Sequence, residues 1–245
     1  MTSIFVTGTD TGIGKTVVTS LLVRFLNDHG KKFIPYKPIQ SGAEYHDGEW
    51  GAPDPYVYSI INKLDALKDQ CTYLLKKACS PHLAAKYENV QIDFSLIERN
   101  IQLLANQADG TIVEGAGGLF VPLTTDGYCV IDWLEKLRIP TVLVTHAGVG
   151  SINHTVLSVE ALQSRGIPIA GIIMNHLQED DKEVTHDNKQ MIERLTGIPI
   201  ICEVPFIAGM TEESMENVNA CFQDWKIEII LEAFKNGFTT INGTK

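Results

Sequence analysis

The segment Gly8–Val18, GTDTGIGKTVV, follows directly on the short apolar run SIFVT, and it constrains the fold more than any other stretch. A glycine-rich turn between a buried strand and a helix that opens at Gly14-Lys15-Thr16 is the context of a phosphate-binding loop, usually spaced G-x-x-x-x-G-K-[ST]. Counting back from Gly14, the first glycine is due at position 9. The chain has Thr9 there and places its glycine one residue earlier, at Gly8. A helix starting near Lys15 directs its free N–H groups and positive end at the loop, where phosphate oxygens bind. Gly8, Gly12 and Gly14 let the backbone close around them. Across Gly12, Ile13, Gly14, Lys15, Thr16 and Val17, the spacing assigns Lys15 to the β- and γ-phosphates and the Thr16 hydroxyl to Mg²⁺. The Thr9-Asp10-Thr11 insert raises a second question: what else has to bind there.

Downstream, short β-branched runs alternate with segments of helical period. Val18, Leu21, Leu22, Phe25 and Leu26 recur at 3–4 spacing and stop at Gly30. KFIPYK (32–37) reads as a strand, followed by a polar Gly/Pro-rich stretch from Ser41 to Pro53. DFSLIERNIQLLANQA (93–108) reads as a helix capped by Asp93, and GTIVEGAGG (110–118) as a buried strand ending in a glycine loop. Further strands are expected at 140–145, 168–175 and 198–204, with helices at 151–165, 183–195 and 225–237. This βαβα order predicts an α/β fold of the P-loop NTPase kind, a mostly parallel sheet with helices on both faces. No repeat or linker divides the chain, so residues 1–245 are read as one domain, in which 212–245 is expected to pack on the core or on a partner.

Composition removes several classes. A formal net charge of -10 without any Lys/Arg cluster argues against nucleic acid or an anionic membrane as partner. No apolar run approaches the ~18 residues of a membrane span. Five cysteines without a C-x-x-C pair, and a start without a basic, apolar leader, fit a reduced, cytoplasmic protein. None of the 7 histidines has metal-ligand spacing.

In a parallel sheet, residues just past the carboxyl ends of neighbouring strands line one crevice. That brings Lys37 and Ser41 beside the phosphate loop. Glu114 ends an apolar strand as a Walker B acid does, and is a candidate Mg²⁺ ligand. Asp54 precedes Pro55 in the arrangement of an N-cap with proline at the first helical position; Asp47 is the rival acid of that loop. Mg²⁺ takes a few carboxylates or hydroxyls plus phosphate oxygens and waters, so Thr16, Asp54, Glu114 and a nucleotide suffice. Taken singly, Lys37 also fits a solvated strand-end lysine, Asp54 a helix cap and Glu114 a loop cap.

GTDTGIGKT, YKPIQSG, SPHLAA (80–85), VEGAGGLFVPL and GVGSINHTVLSVEAL (148–162) occur in that order. Together they closely resemble the dethiobiotin synthase family over residues 2–206; no one of them is specific alone. The resemblance implies an ATP-dependent cyclo-ligase acting on 7,8-diaminononanoate and carbon dioxide. A carbamate forms on one amine, ATP phosphorylates it, and the second amine displaces phosphate to close a ureido ring. It implies catalytic roles for Thr11, Lys15, Lys37 and Ser41, with Thr11 near the carbamate and γ-phosphate. Gly115, Ala116, Gly117 and Gly118 would lie against the substrate. Gly150, Ser151, Ile152 and Asn153 of a neighbouring subunit, at a helix start that Ser151 or Asn153 is placed to cap, would hold its carboxylate, so the resemblance implies a homodimer. Asn175 would meet the adenine edge, with Pro205 closing over the base. This chain reads APDPYVYS (52–59) where the family often has an SDA-like stretch, and its tail after Glu212 finds little echo.

Two other protein classes share part of this pattern. Partition-type (ParA/MinD-like) ATPase switches share the superfamily but carry a lysine five residues before the loop lysine, where this chain has Asp10. The ligase half of a glutamine-dependent amidotransferase has a similar loop, but roughly 40 residues after the last strand are too few for a glutaminase domain on the same chain, which leaves only a glutaminase on a separate one.

Overall fold

The phosphate-loop strand lies inside a seven-stranded sheet of order β5-β2-β6-β1-β7-β8-β9. The computed structural model describes residues 2–46, 48–62, 70–207 and 222–236. Its strands are β1 (Thr2–Gly8), β2 (Phe33–Ser41), β5 (Cys71–Leu75), β6 (Gly110–Glu114), β7 (Thr141–His146), β8 (Ile169–Asn175) and β9 (Ile200–Val204). Every pairing within the sheet is parallel. A small antiparallel hairpin, β3 (Glu44–His46) with β4 (Glu49–Gly51), stands apart from it. The chain leaves β1 for β2 on one side and later steps through β7, β8 and β9 on the other. The strand order therefore reverses beside β1, where α/β sheets open a crevice for ligands.

Helices α1 (Lys15–Asp28), α2 (Pro53–Asn62), α3 (Pro81–Tyr87), α4 (Phe94–Asn106), α5 (Val130–Leu137), α6 (Ser151–Ser164), α7 (Lys182–Thr196) and α8 (Ile227–Asn236) cover both faces. Alternation along the strands sorts the core. Ile4, Val6, Ile112 and Val142 pack with Leu22 and Phe25 of α1, Ile61 of α2 and Phe234 of α8. Phe5, Val113 and Leu143 face Ile101 of α4, Trp133 of α5, Leu162 of α6 and Ile192 of α7. α8 and the preceding Trp225 thus belong to the α1 side of the core, and the Trp225 indole donates to Glu203 O at 3.0 Å.

Asp93 caps α4 through Ser95 N and Leu96 N, as its position predicts. Three local expectations change. β2 runs through Ser41 instead of ending at Lys37, so Lys37 is an interior residue of the strand. α2 begins at Pro53, which puts Asp54 inside its first turn rather than at the cap. α6 is preceded by Gly150 in the left-handed region (φ 95), with no side-chain cap, so neither Ser151 nor Asn153 caps it. Asp47, the rival acid, lies outside the described residues. No helix among the described residues is long and apolar enough to cross a membrane.

Candidate active site

A cleft of about 420 Å³ opens at the carboxyl end of the sheet, lined by the phosphate loop and α1 on one side. Lys37, Ile39, Gln40 and Ser41 of β2, Asp54, Glu114, Ala116 and Gly117 complete it. The loop explains its own spacing. A Cβ at Gly8 would stand 2.4 Å from Ile13 Cδ1, so the glycine is needed where Ile13 folds back over the end of β1. Gly12 and Gly14 both have positive φ (76 and 85). Thr11 lines the cleft, its N–H bonded to Asp10 Oδ1 at 2.6 Å, and a Cβ on Gly117 would lie 3.3 Å from its hydroxyl. The Thr-Asp-Thr insert therefore faces the glycine loop after β6.

Four charges converge in the cleft. Lys15 is buried and its Nζ donates to the carbonyl of Asp10 at 2.7 Å. Burial, reinforced by the charge of Lys37, pushes its pKa down to about 8. Lys37, also buried, uses all three of its ammonium donors. They reach Asp54 Oδ2 at 2.6 Å, Glu114 Oε1 at 2.7 Å and Gly115 O at 3.2 Å. Burial opposes its charge, but Glu114 and Asp54 together outweigh burial and hold its pKa above the ordinary lysine value. Glu114 Oε1 also accepts from Thr16 Oγ1 at 2.9 Å, while Oε2 accepts from the Tyr58 hydroxyl. Burial, then the charge of Glu114, raises the Tyr58 pKa well above normal, which keeps it a donor.

These side chains meet because Lys37 and Glu114 point to the α1 face by strand alternation, beneath the first turns of α1 and α2. Thr16, Asp54 and Glu114 offer the hard oxygen donors that Mg²⁺ prefers, and the donor set fits that ion. Among the described residues no cluster of three or more His, Cys, Asp or Glu side chains forms a metal site, so a cation here draws its other ligands from phosphate and water. A wider depression elsewhere, lined by His82, Lys86, Phe94, Tyr128 and Lys136, contains none of the predicted residues.

The other expected residues divide. Ala116 and Gly117 line the cleft, whereas Gly115 packs on Phe5, 2.7 Å from a notional Cβ, and Gly118 lies against the backbone of Gly8 and Thr9. Asn175, buried at the end of β8, donates its amide to Ile13 O at 2.9 Å. Pro205 follows β9, exposed. Gly150, Ser151, Ile152 and Asn153 are not in the cleft lining. Ser151 is fully buried with its hydroxyl unpartnered, and Asn153 is exposed.

A family model described as an AAA domain matches residues 2–214. A protein of Halalkalibacterium halodurans named ATP-dependent dethiobiotin synthetase is 49% identical over 204 residues, covering 83% of this chain and 84% of that protein. The chain belongs to the dethiobiotin synthetase family. A synthetase of Anoxybacillus flavithermus shares 43% over 216 residues, 88% of this chain and 96% of its own. As a dethiobiotin synthetase the chain is an ATP-dependent ligase of biotin biosynthesis. Solved structures with the same fold include a ParA family ATPase from Chlorobium tepidum (15% identity, TM-score 0.51, 95% of this chain and 96% of that one). Another is the MinC:MinD cell division complex of Aquifex aeolicus (14%, TM-score 0.55, 96% and 94%). At such identities the likeness is one of fold alone.

Two residues of this synthetase escaped sequence reasoning. Tyr58 had a signal: four residues after Asp54 on a helix, it shares that acid's face. Asn188 had none. Buried on α7, it donates to Ala147 O at 2.8 Å and Gly148 O at 3.2 Å, tying down the turn before α6. Asn188→Ala is expected to lower the melting temperature by roughly 2–6 °C and to speed amide exchange across 148–153. Unchanged exchange there would show that the turn is held by other contacts.

Proposed function

We propose that this synthetase closes the ureido ring of dethiobiotin from 7,8-diaminononanoate, carbon dioxide and ATP, releasing ADP and phosphate. The observation that carries the reading is the Lys37 ammonium held between Asp54 and Glu114 at the mouth of the phosphate loop. It gives a positive charge next to the place where phosphoryl oxygens would lie. One amine takes up carbon dioxide as a carbamate. A carbamate oxygen attacks the γ-phosphorus, ADP leaves, and a carbamic-phosphoric anhydride results. The second amine then attacks the anhydride carbonyl, phosphate leaves, and the amine loses its proton as the ring closes.

Such transfers depend on positioning and charge, because the developing charge lies on oxygens. Lys15 and the N–H groups of Gly12–Val17 cradle the nucleotide phosphates, and Lys37 flanks the transferring group after exchanging one of its present partners. Thr11 and Ser41 hydrogen-bond the carbamate. Mg²⁺, held by Thr16, Asp54 and Glu114, would neutralise phosphate charge. Asn175 and Pro205 would meet the base. The protein works as a cytoplasmic homodimer, with Gly150–Asn153 of one protomer offering backbone N–H groups and the positive end of α6 to the substrate carboxylate bound at its partner's loop.

The test is phosphate release from Mg·ATP and bicarbonate, with and without 7,8-diaminononanoate. Release that requires the diamine and equals cyclic urea formed supports the ligase. Release indifferent to the diamine would point to a ParA/MinD-like switch or to a different substrate, and the roles of Lys37, Ser41 and Asn153 would fall with it.

A further inference from the structure

We infer that Tyr58 is a specificity-determining residue of the cation site: by holding Glu114 Oε2 it presents one carboxylate oxygen to the metal and so favours Mg²⁺ over Ca²⁺. The inference rests on the assignment of Thr16, Asp54 and Glu114 as metal ligands, and goes beyond it. The two oxygens of Glu114 have separate duties. Oε1 meets Thr16 Oγ1 and Lys37 Nζ, the groups that face the cleft. Oε2 meets only the Tyr58 hydroxyl among the hydrogen bonds of the described residues. Both Glu114 (1% exposed) and Tyr58 (0%) are buried, so water does not compete for either partner.

A phenol suits this task. Its ring has two torsions and is fixed by packing, so the hydroxyl cannot follow a carboxylate that rotates. Asp54 stands one turn earlier on α2, so the helix that carries one acid also sets the rotation of the other. Mg²⁺ demands near-octahedral geometry at short range and accepts one oxygen from each carboxylate. Ca²⁺ takes more ligands, commonly with both oxygens of a carboxylate. A Glu114 tethered through Oε2 satisfies the first requirement and obstructs the second. Removing only the Tyr58 hydroxyl frees the carboxylate to turn, which helps the larger ion selectively. A hydroxyl that merely satisfied a buried acid would, once removed, weaken both ions alike.

The experiment is calorimetric titration of Mg²⁺ and of Ca²⁺ into the full chain with a non-hydrolysable ATP analogue, for wild type and Tyr58→Phe. The expected result is a Mg²⁺/Ca²⁺ affinity ratio that falls about tenfold in the variant, the scale of one hydrogen bond to a charged acceptor. An unchanged ratio, with both affinities reduced or neither, overturns the inference while leaving the metal assignment standing. A wild-type protein whose analogue complex takes up neither cation overturns the assignment and the inference together. If Tyr58→Phe does not fold, a crystal structure of the wild-type Ca²⁺–analogue complex decides. Chelation of Ca²⁺ by both Glu114 oxygens overturns the inference; a single-oxygen contact with Tyr58 still bonded supports it.

Discussion

Lys37→Gln is expected to lower kcat by on the order of 10²–10³-fold, the usual loss when a donor aimed at developing oxyanion charge is removed. Binding of Mg·ATP should change far less, because the phosphate loop and Lys15 remain. The same substitution leaves Asp54 and Glu114, now 2.6 and 2.7 Å from one ammonium, without their shared counter-charge. The variant should therefore melt earlier than wild type in metal-free buffer, and added Mg²⁺ should raise its melting temperature by more than it raises that of wild type. Initial rates of phosphate release at saturating diamine, bicarbonate and ATP test the first half, and melting curves with and without Mg²⁺ test the second. Near-normal turnover would remove Lys37 from the chemistry. A metal-independent melting temperature equal to wild type would show that the carboxylates do not depend on it.

The two lysines of the cleft differ although both are buried. Lys15 contacts a neutral carbonyl, so burial dominates and its pKa falls to about 8. Lys37 contacts two carboxylates, and their attraction overcomes the same penalty. One cation is thus kept charged by the protein, while the other gains most from a negatively charged phosphate. The four side-chain charges cancel when all four groups are ionised. On the proposed reading, a triphosphate would add negative charge for the loop N–H groups and a divalent ion to offset.

The parts of this arrangement carried by local chemistry were legible beforehand. The strand–loop–helix at Gly8–Thr16, the capped helix after Asp93 and the acid closing β6 all follow from patterns a few residues long. What was not legible depended on distant partners. Lys37 looks like a strand-end residue until β5 extends β2 past it, pairing Lys37 with Cys71 and Ser41 with Leu75. Asp54 and Pro55 imitate a cap and first turn, yet the helix takes in Pro53 and turns Asp54 toward Lys37. Ser151, a plausible cap, is carried inside by the first turn of α6, and Gly150 serves instead. Asn188 gives no local sign, because its partners, Ala147 and Gly148, are about 40 residues earlier.

Gly14→Ala is expected to weaken nucleotide binding by about tenfold to a hundredfold, since misplacing a positioned group by ~1 Å has effects of that size. Two causes act at this position. The backbone is left-handed (φ 85), which a Cβ disfavours by about 1–2 kcal/mol. The new Cβ would also stand 2.2 Å from Asn175 Nδ2, the group that donates to Ile13 O and steadies the loop. Gly14→Ala/Asn175→Ala separates the two causes. It removes the collision but keeps the backbone strain, so binding should recover in part relative to the single variant, measured against Asn175→Ala alone by titration with a non-hydrolysable ATP analogue. No recovery would assign the whole loss to φ. Full recovery would assign it to the collision, and then the glycine before Lys15 answers to a side chain at the end of β8 as much as to any phosphate in the loop.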